Sequence, residues 1–479
     1  MNINLIAYII DFDSTILYNF LCVNKYYSQN ELLNNITVLC LLNNTKLNDD
    51  NLKLLKRLKV LILSENDNIS DTGLIYIPNI QILKLDTSKI TNNGLKIINN
   101  INNLTLRNCN NNITDDGLHY LNKIQKLELN WDNMITNIGL EYLPSNLHTL
   151  KLHYNNNIND NVLKYLSNIH TLILKGTNIS NFGLQFLHNI HTLELYENNI
   201  ITDDGFKYLS NIHTLIINEN YIITNDGLKY LNNINRLELN SNLITNKGLK
   251  FLTNIHTLCL WNNKKITDTG LKYIKNIHTL YMNDNKKITD NGLKHIPNIH
   301  TLSLNSNINI TDLGLTYIKN IHTLKLNSNI NITDLGLKYI PNIYKLQLNS
   351  NYNITNSGLM YFNNIHSLKL NNNTNITDLG LKNIHNIYEL QLNNNQNITN
   401  IGLRYIKNIH ILELKNNKNI TNDGLINIPK INILYLFDNE KITLRCLKYI
   451  PNISKLLLFT NKGKLKVKWI TQDDLFTEY

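Results

Sequence analysis

The chain has 479 residues, 42% of them hydrophobic and only 17% charged, with a formal net charge of +10 and a pI near 9.0. Asparagine stands where charge is missing, at 93 positions. So apolar a chain is not a solvated disordered polymer, it has no apolar run of the roughly 18 residues a membrane helix needs, and its five scattered cysteines, with no CxxC pair, read as reduced thiols.

The first 37 residues carry no repeat. The opening MNINLIAYIIDFD has no basic stretch, and its apolar run stops at Asp11, which argues against a secretory signal. Ile16, Leu17, Phe20 and Val23 fall at helical spacing, with Asp13 or Ser14 placed to cap that helix. Val23, Asn24, Lys25, Tyr26 and Tyr27 follow. This segment resembles an F-box: an apolar opening, an acidic turn, then a helix ending in Val-Asn-Lys and aromatics. The usual Leu-Pro opening is absent, and Met1 stands close to where it would be. The resemblance implies docking on Skp1, the adaptor subunit of cullin-based ubiquitin ligases, through Ile9, Ile10, Phe12, Leu17, Phe20 and Val23. The other reading is a cap that covers the first repeat.

From residue 38 to 462 one pattern, x-Leu-x-Leu, recurs 20 times at intervals of 21 to 23 residues. That excludes separate domains and makes a solenoid of about 22 residues per turn. In the turn from Leu324 to Lys345, Leu324 and Leu326 alternate with polar residues as in a half-buried strand. Thr333 and Asp334 read as a helix start, Leu337 and Ile340 share a face, and Pro341 is expected to end the helix.

The position five residues after the leading Leu holds Asn in 16 of 20 turns, the exceptions being Ser88, Cys109, Asp132 and Thr177. It runs unbroken through Asn198, Asn220, Asn242, Asn263, Asn285, Asn307, Asn329, Asn351, Asn373, Asn395, Asn417, Asn439 and Asn461. A buried amide carries both donors and an acceptor, so such a ladder can join the loops of neighbouring turns. Sixteen of the 18 glycines share one register as well, only Gly176 and Gly463 lying elsewhere, which implies close approach of adjacent turns.

Ile321, Leu324, Leu326, Asn329 and Ile332 resemble the leucine-rich repeat LxxLxLxx(N/C)xL, and the continuation ITDxGLxxI is similar to the cysteine-containing subtype found in F-box proteins. Here Asn replaces that subtype's Cys nearly everywhere. The resemblance implies an α/β solenoid with a parallel sheet on its concave face and short helices on the convex one. It also implies a target protein bound by the concave face. On that face Trp261 and Tyr281 sit on adjacent strands, Tyr196 lies some strands earlier, and Ile411, Ile433, Tyr435, Phe437, Leu457 and Phe459 cluster near the end. Exposed aromatics of this kind are contact candidates. Equally, the tail 463–479, whose Leu465, Val467 and Trp469 alternate with Lys, can fold back as a cap over the last cluster.

Two further columns have ordinary explanations. His148, His170, His191, His213, His256, His278, His300, His322, His366 and His410 share a register before the strand. A single file gives no closed tetrahedron for zinc, so packing at the solvent edge is expected. Lys207, Lys229, Lys250, Lys272, Lys294 and Lys338 fall on the helical side and read as a solvated face. No P-loop, GxSxG, HExxH or kinase signature occurs, and only 54 residues lie outside the repeats. The expected protein is therefore a non-catalytic monomer without cofactor or metal, binding neither membrane nor nucleic acid. It is expected in the cytoplasm or nucleus, or in the host cytoplasm if the AT-rich composition reflects a viral source. The leading function is substrate recognition for a Skp1-cullin-F-box ubiquitin ligase; a plain interaction scaffold or an enzyme inhibitor is the alternative.

Overall fold

The computed structural model describes residues 36–468, apart from 42–46, 65, 87–88, 108–111, 131–133, 154–156, 262, 363, 438–440, 454 and 460–465. The proposed Skp1 contacts Ile9, Ile10, Phe12, Leu17, Phe20 and Val23 lie outside the described residues, as do Asn439 and Asn461. The chain divides into two compact units, Met1–Leu239 and Asn240–Tyr479.

Each unit is a stack of the same turn. In the first, strands from β1 (Val38–Leu41) to β10 (Arg236–Leu239) pair in parallel with the leading leucines in register, Leu39 beside Leu61 and Leu215 beside Leu237. In the second, parallel pairing runs from β11 (Thr257–Leu260) to β20 (Lys455–Phe459), again with Leu324 beside Leu346. The tail supplies β21 (Lys466–Lys468), which pairs antiparallel with β20. That pairing covers an edge whose backbone groups would otherwise be open to further strands.

One turn shows why the units must stack. Leu324, Leu326, Ile332, Leu337, Ile340 and Ile343 are at most 1% exposed. Burial of each is worth about 1.5–3 kcal/mol, and only neighbouring turns can supply it. Thr333 caps the helix as expected, its side chain accepting from the Leu335 N–H. The helix itself is shorter than the sequence suggests. It spans Asp334–Leu337 alone and stops well before Pro341. After it the backbone tightens into i to i+3 bonds, Tyr339 N–H to Gly336 at 3.1 Å and Ile340 N–H to Leu337 at 3.1 Å. The tighter winding still buries Ile340. Among the described residues no helix is long and apolar enough to cross a membrane.

Candidate functional site

The loop behind the sheet is held by the asparagine ladder. Asn329 is fully buried, and its Nδ2 donates to the carbonyls of Asn307 at 2.6 Å and Ile310 at 3.0 Å. Its Oδ1 accepts from the Asn331 N–H at 2.9 Å. Asn307, Asn351, Asn373 and Asn395 repeat the same two donations, and Asn417 the first of them. Asn198, Asn220, Asn263 and Asn285 are likewise buried and bonded to the preceding turn. Asn242 is a correction. Its turn is one residue shorter, so Ser241 takes the buried position and Asn242 is exposed, with its Oδ1 accepting from Lys264. Thr177 fills the same place in its own turn, 5% exposed.

The chain reaches the ladder through a left-handed residue. Asp284, Ser306, Ser328, Ser350, Asn372, Asn394 and Asn416 have φ between 52° and 61°. Gly176, off the main glycine register, has φ 65° and belongs to this column.

A second ladder fixes the helix side. Asp312 Oδ1 accepts the Thr333 N–H at 2.8 Å, and its Oδ2 accepts the Thr333 hydroxyl at 2.6 Å. Gly336 makes room for it, because a Cβ there would collide with Asp312 Oδ1. This explains the glycine register. Where Asn replaces Asp, the amide instead donates to the threonine hydroxyl, as Asn356 does to Thr377 at 2.8 Å. Thr114, Thr202, Thr267, Thr377 and Thr421 all receive such a bond, and none of them caps its helix. Thr289, Thr311, Thr333, Thr355 and Thr399, which donate to Asp, all cap. A hydroxyl that donates to a carboxylate has both lone pairs available to the helix N–H, whereas one that accepts from an amide has one of them engaged; Thr245, which follows Asn225, still caps its helix.

In the second unit these ladders lie behind the sheet on which Tyr281 and Tyr435 sit. Trp261 and Tyr281 stack with centroids 6.3 Å apart and planes inclined by 27°, both half-buried. Lys325 Nζ lies 5.8 Å from the Tyr281 ring centre. Beyond it a shallow groove is lined by Lys325, Lys345, Gln347, Lys369 and Glu389. Tyr196 belongs to the first unit, where its hydroxyl donates to Glu194 at 2.8 Å, and burial with that carboxylate raises its pKa. Tyr435 is half-buried on its strand, and the side chains of Phe437 and Phe459 lie outside the described residues. The expected lysine column is exposed at Lys207, Lys229, Lys250, Lys272, Lys294 and Lys338.

In each unit the histidine column is a stack of rings. In the first unit His148, His170, His191 and His213 follow one another at 4.4 to 4.6 Å. In the second the file runs from His256 to His410 through Tyr344 and Tyr388. Burial, followed by neighbouring imidazolium charge, holds His170, His191, His278 and His300 below the usual histidine pKa. Among the described residues no group of three or more His, Cys, Asp or Glu is placed to hold a metal. The Cys446 thiol is buried, which pushes its pKa up to about 11.

No protein-family model and no curated protein matches the chain. Solved structures do. The TLR13–ssRNA13 complex aligns with a TM-score of 0.50 at 16% identity, over 87% of this chain and 68% of that one. The complex of Rad7 and Elc1 from yeast aligns with a TM-score of 0.44 at 15% identity, over 66% of this chain and 85% of that one. The fold is a leucine-rich-repeat solenoid. Within it, the residues that the sequence did not single out are the Asp/Asn–Thr ladder and the left-handed column, whose signals were the glycine register and the displaced Gly176.

Proposed function

We propose that this chain is a recognition adaptor that holds a target protein on its sheet face and docks a Skp1-like subunit through residues 1–37. The observation that carries the recognition half is the Trp261–Tyr281 stack, half-exposed on a rigid polar sheet. Aromatic pairs on a rigid scaffold supply large contact area at low entropic cost. The docking half is supported by the F-box-like run Ile9 to Tyr27. In this reading the solenoid contributes proximity, and the transfer of ubiquitin belongs to partner proteins.

The test is co-precipitation of purified Skp1 by the full chain and by its Leu17→Asp/Phe20→Asp variant. Binding by the unaltered chain alone supports the adaptor. Absence of binding by both removes the ubiquitin link and leaves an interaction scaffold.

A further inference from the structure

In the second unit the residues three after the leading Leu, from Asn283 to Asn393, form another asparagine file, on the sheet side of the buried ladder. The N–H groups of Asn327, Asn349 and Asn371 donate to the Oδ1 of the preceding asparagine, each at 3.0 Å, and Asn393 N–H does so at 2.9 Å. The Oδ1 of Asn305, Asn327, Asn349 and Asn371 is thereby engaged within the fold. The amide nitrogens of Asn327, Asn349 and Asn371 have no partner among the described residues, and none is a buried unsatisfied atom. They face solvent as donors only.

Three ammonium groups accompany them, one per strand, at Lys325, Lys345 and Lys369. Lys345 is exposed and makes no ion pair among the described residues, and Lys369 is 3.5 Å from Glu389. Three strands spaced about 4.8 Å apart put this positive, donor-lined strip within about 10 Å. On one side it meets Trp261 and Tyr281 across the uncharged strand Thr301–Ser303. On the other it ends at Glu389 and at Glu413, whose Oε1 is taken by Gln391 and Asn393 at 2.8 and 2.7 Å.

We propose that this strip binds a short acidic peptide segment of a partner protein, with carboxylates over Lys325, Lys345, Lys369 and the free asparagine amides and an apolar side chain over Trp261 and Tyr281. The proposal rests on the reading of the sheet face as the partner side, and it names the partner's chemistry. Carboxylates suit donors that offer no acceptor. The strip's length favours a peptide over a nucleic acid. A phosphodiester chain continuing past three charges would run onto Glu389 and Glu413, whereas a peptide can carry its charge on a few residues only.

Fluorescence anisotropy of the full chain tests this. The probe is a fluorescein-labelled twelve-residue peptide with a Leu-Phe pair followed by alternating Glu and Asp. Its Gln/Asn counterpart and single-stranded oligouridylate are the comparison probes. Asn349→Asp keeps the acceptor for Asn371 while turning the outward donor into an acceptor. Lys345→Glu alters an exposed side chain, and Lys338→Glu makes the same charge change on the helix side. The acidic peptide should bind and weaken with salt; Asn349→Asp and Lys345→Glu should each lower its affinity about tenfold or more, and Lys338→Glu less than about twofold. The proposal is overturned if the acidic peptide fails to bind, if the Gln/Asn peptide binds as well, if oligouridylate binds more tightly, or if the two sheet-face variants bind as the unaltered chain does. Intact Skp1 binding alongside such a failure would leave the adaptor reading standing.

Discussion

Asp312 of one turn occupies the space where Gly336 of the next would carry a side chain, and from there it holds both the N–H and the hydroxyl of Thr333. This inverts the usual expectation for a helix. Gly to Ala inside a helix ordinarily stabilises by about 1 kcal/mol. Gly336→Ala should instead destabilise by about 1–3 kcal/mol, because the carboxylate must move and release Thr333. Urea unfolding of the single variant and of Gly336→Ala/Asp312→Ala measures the coupling. The double variant should lose clearly less than the sum of the two singles, and strict additivity would contradict the account.

The same ladder bears on which threonines cap. Asp312→Asn should keep the bond to the Thr333 N–H, turn the hydroxyl into an acceptor and cost the cap on Leu335, about 0.5–1 kcal/mol. Asn356→Asp should do the reverse at Thr377 and stabilise by a similar amount. Amide exchange of Leu335 and Leu379 reports the two changes separately.

The buried ladder should tolerate even less. Asn329→Ala strips partners from the carbonyls of Asn307 and Ile310 and from the Asn331 N–H in a fully buried loop. A loss of about 3–5 kcal/mol is expected from unfolding curves. Asn331→Ala removes only a solvent-exposed bond to Ile308 and should cost less than about 1 kcal/mol.

Stability should depend on pH through the stacked rings. Burial depresses the pKa of His278, His300 and His322 in the folded state below the unfolded value near 6.5. The unfolded chain then binds more protons, so this stability is present above pH 6.5 and is lost as pH falls through the folded pKa values. The thermal midpoint should drop between pH 7.5 and pH 5.5. His300→Tyr/His322→Tyr, which copies the rings already present at Tyr344 and Tyr388, should flatten that dependence.

Much of this turn can be read directly from sequence because its chemistry is local and periodic. Leu324 and Leu326 announce the strand, Thr333 the cap, and Asn329 a buried amide in search of partners. What escapes such reading depends on partners a turn away. Asp312 looks like a residue for its own helix dipole, yet its bonds go to Thr333, 21 residues on. Pro341 looks like a helix stop, although the helix has already ended at Leu337. Asn242 fails for a plainer reason: a fixed offset cannot see that its loop is one residue shorter and that Ser241 moves into the buried place. The donor strip is hidden differently. Asn349 is one more asparagine among 93 until its Oδ1 is seen to be engaged and its Nδ2 open.

The adaptor reading is tested most directly by hydrogen–deuterium exchange of the full chain with and without purified Skp1. The account predicts new protection across residues 9–23, where Ile9, Ile10, Phe12, Leu17, Phe20 and Val23 lie, and none along the sheet face from Trp261 to Asn393. Unchanged exchange across residues 9–23 at saturating Skp1 would contradict it.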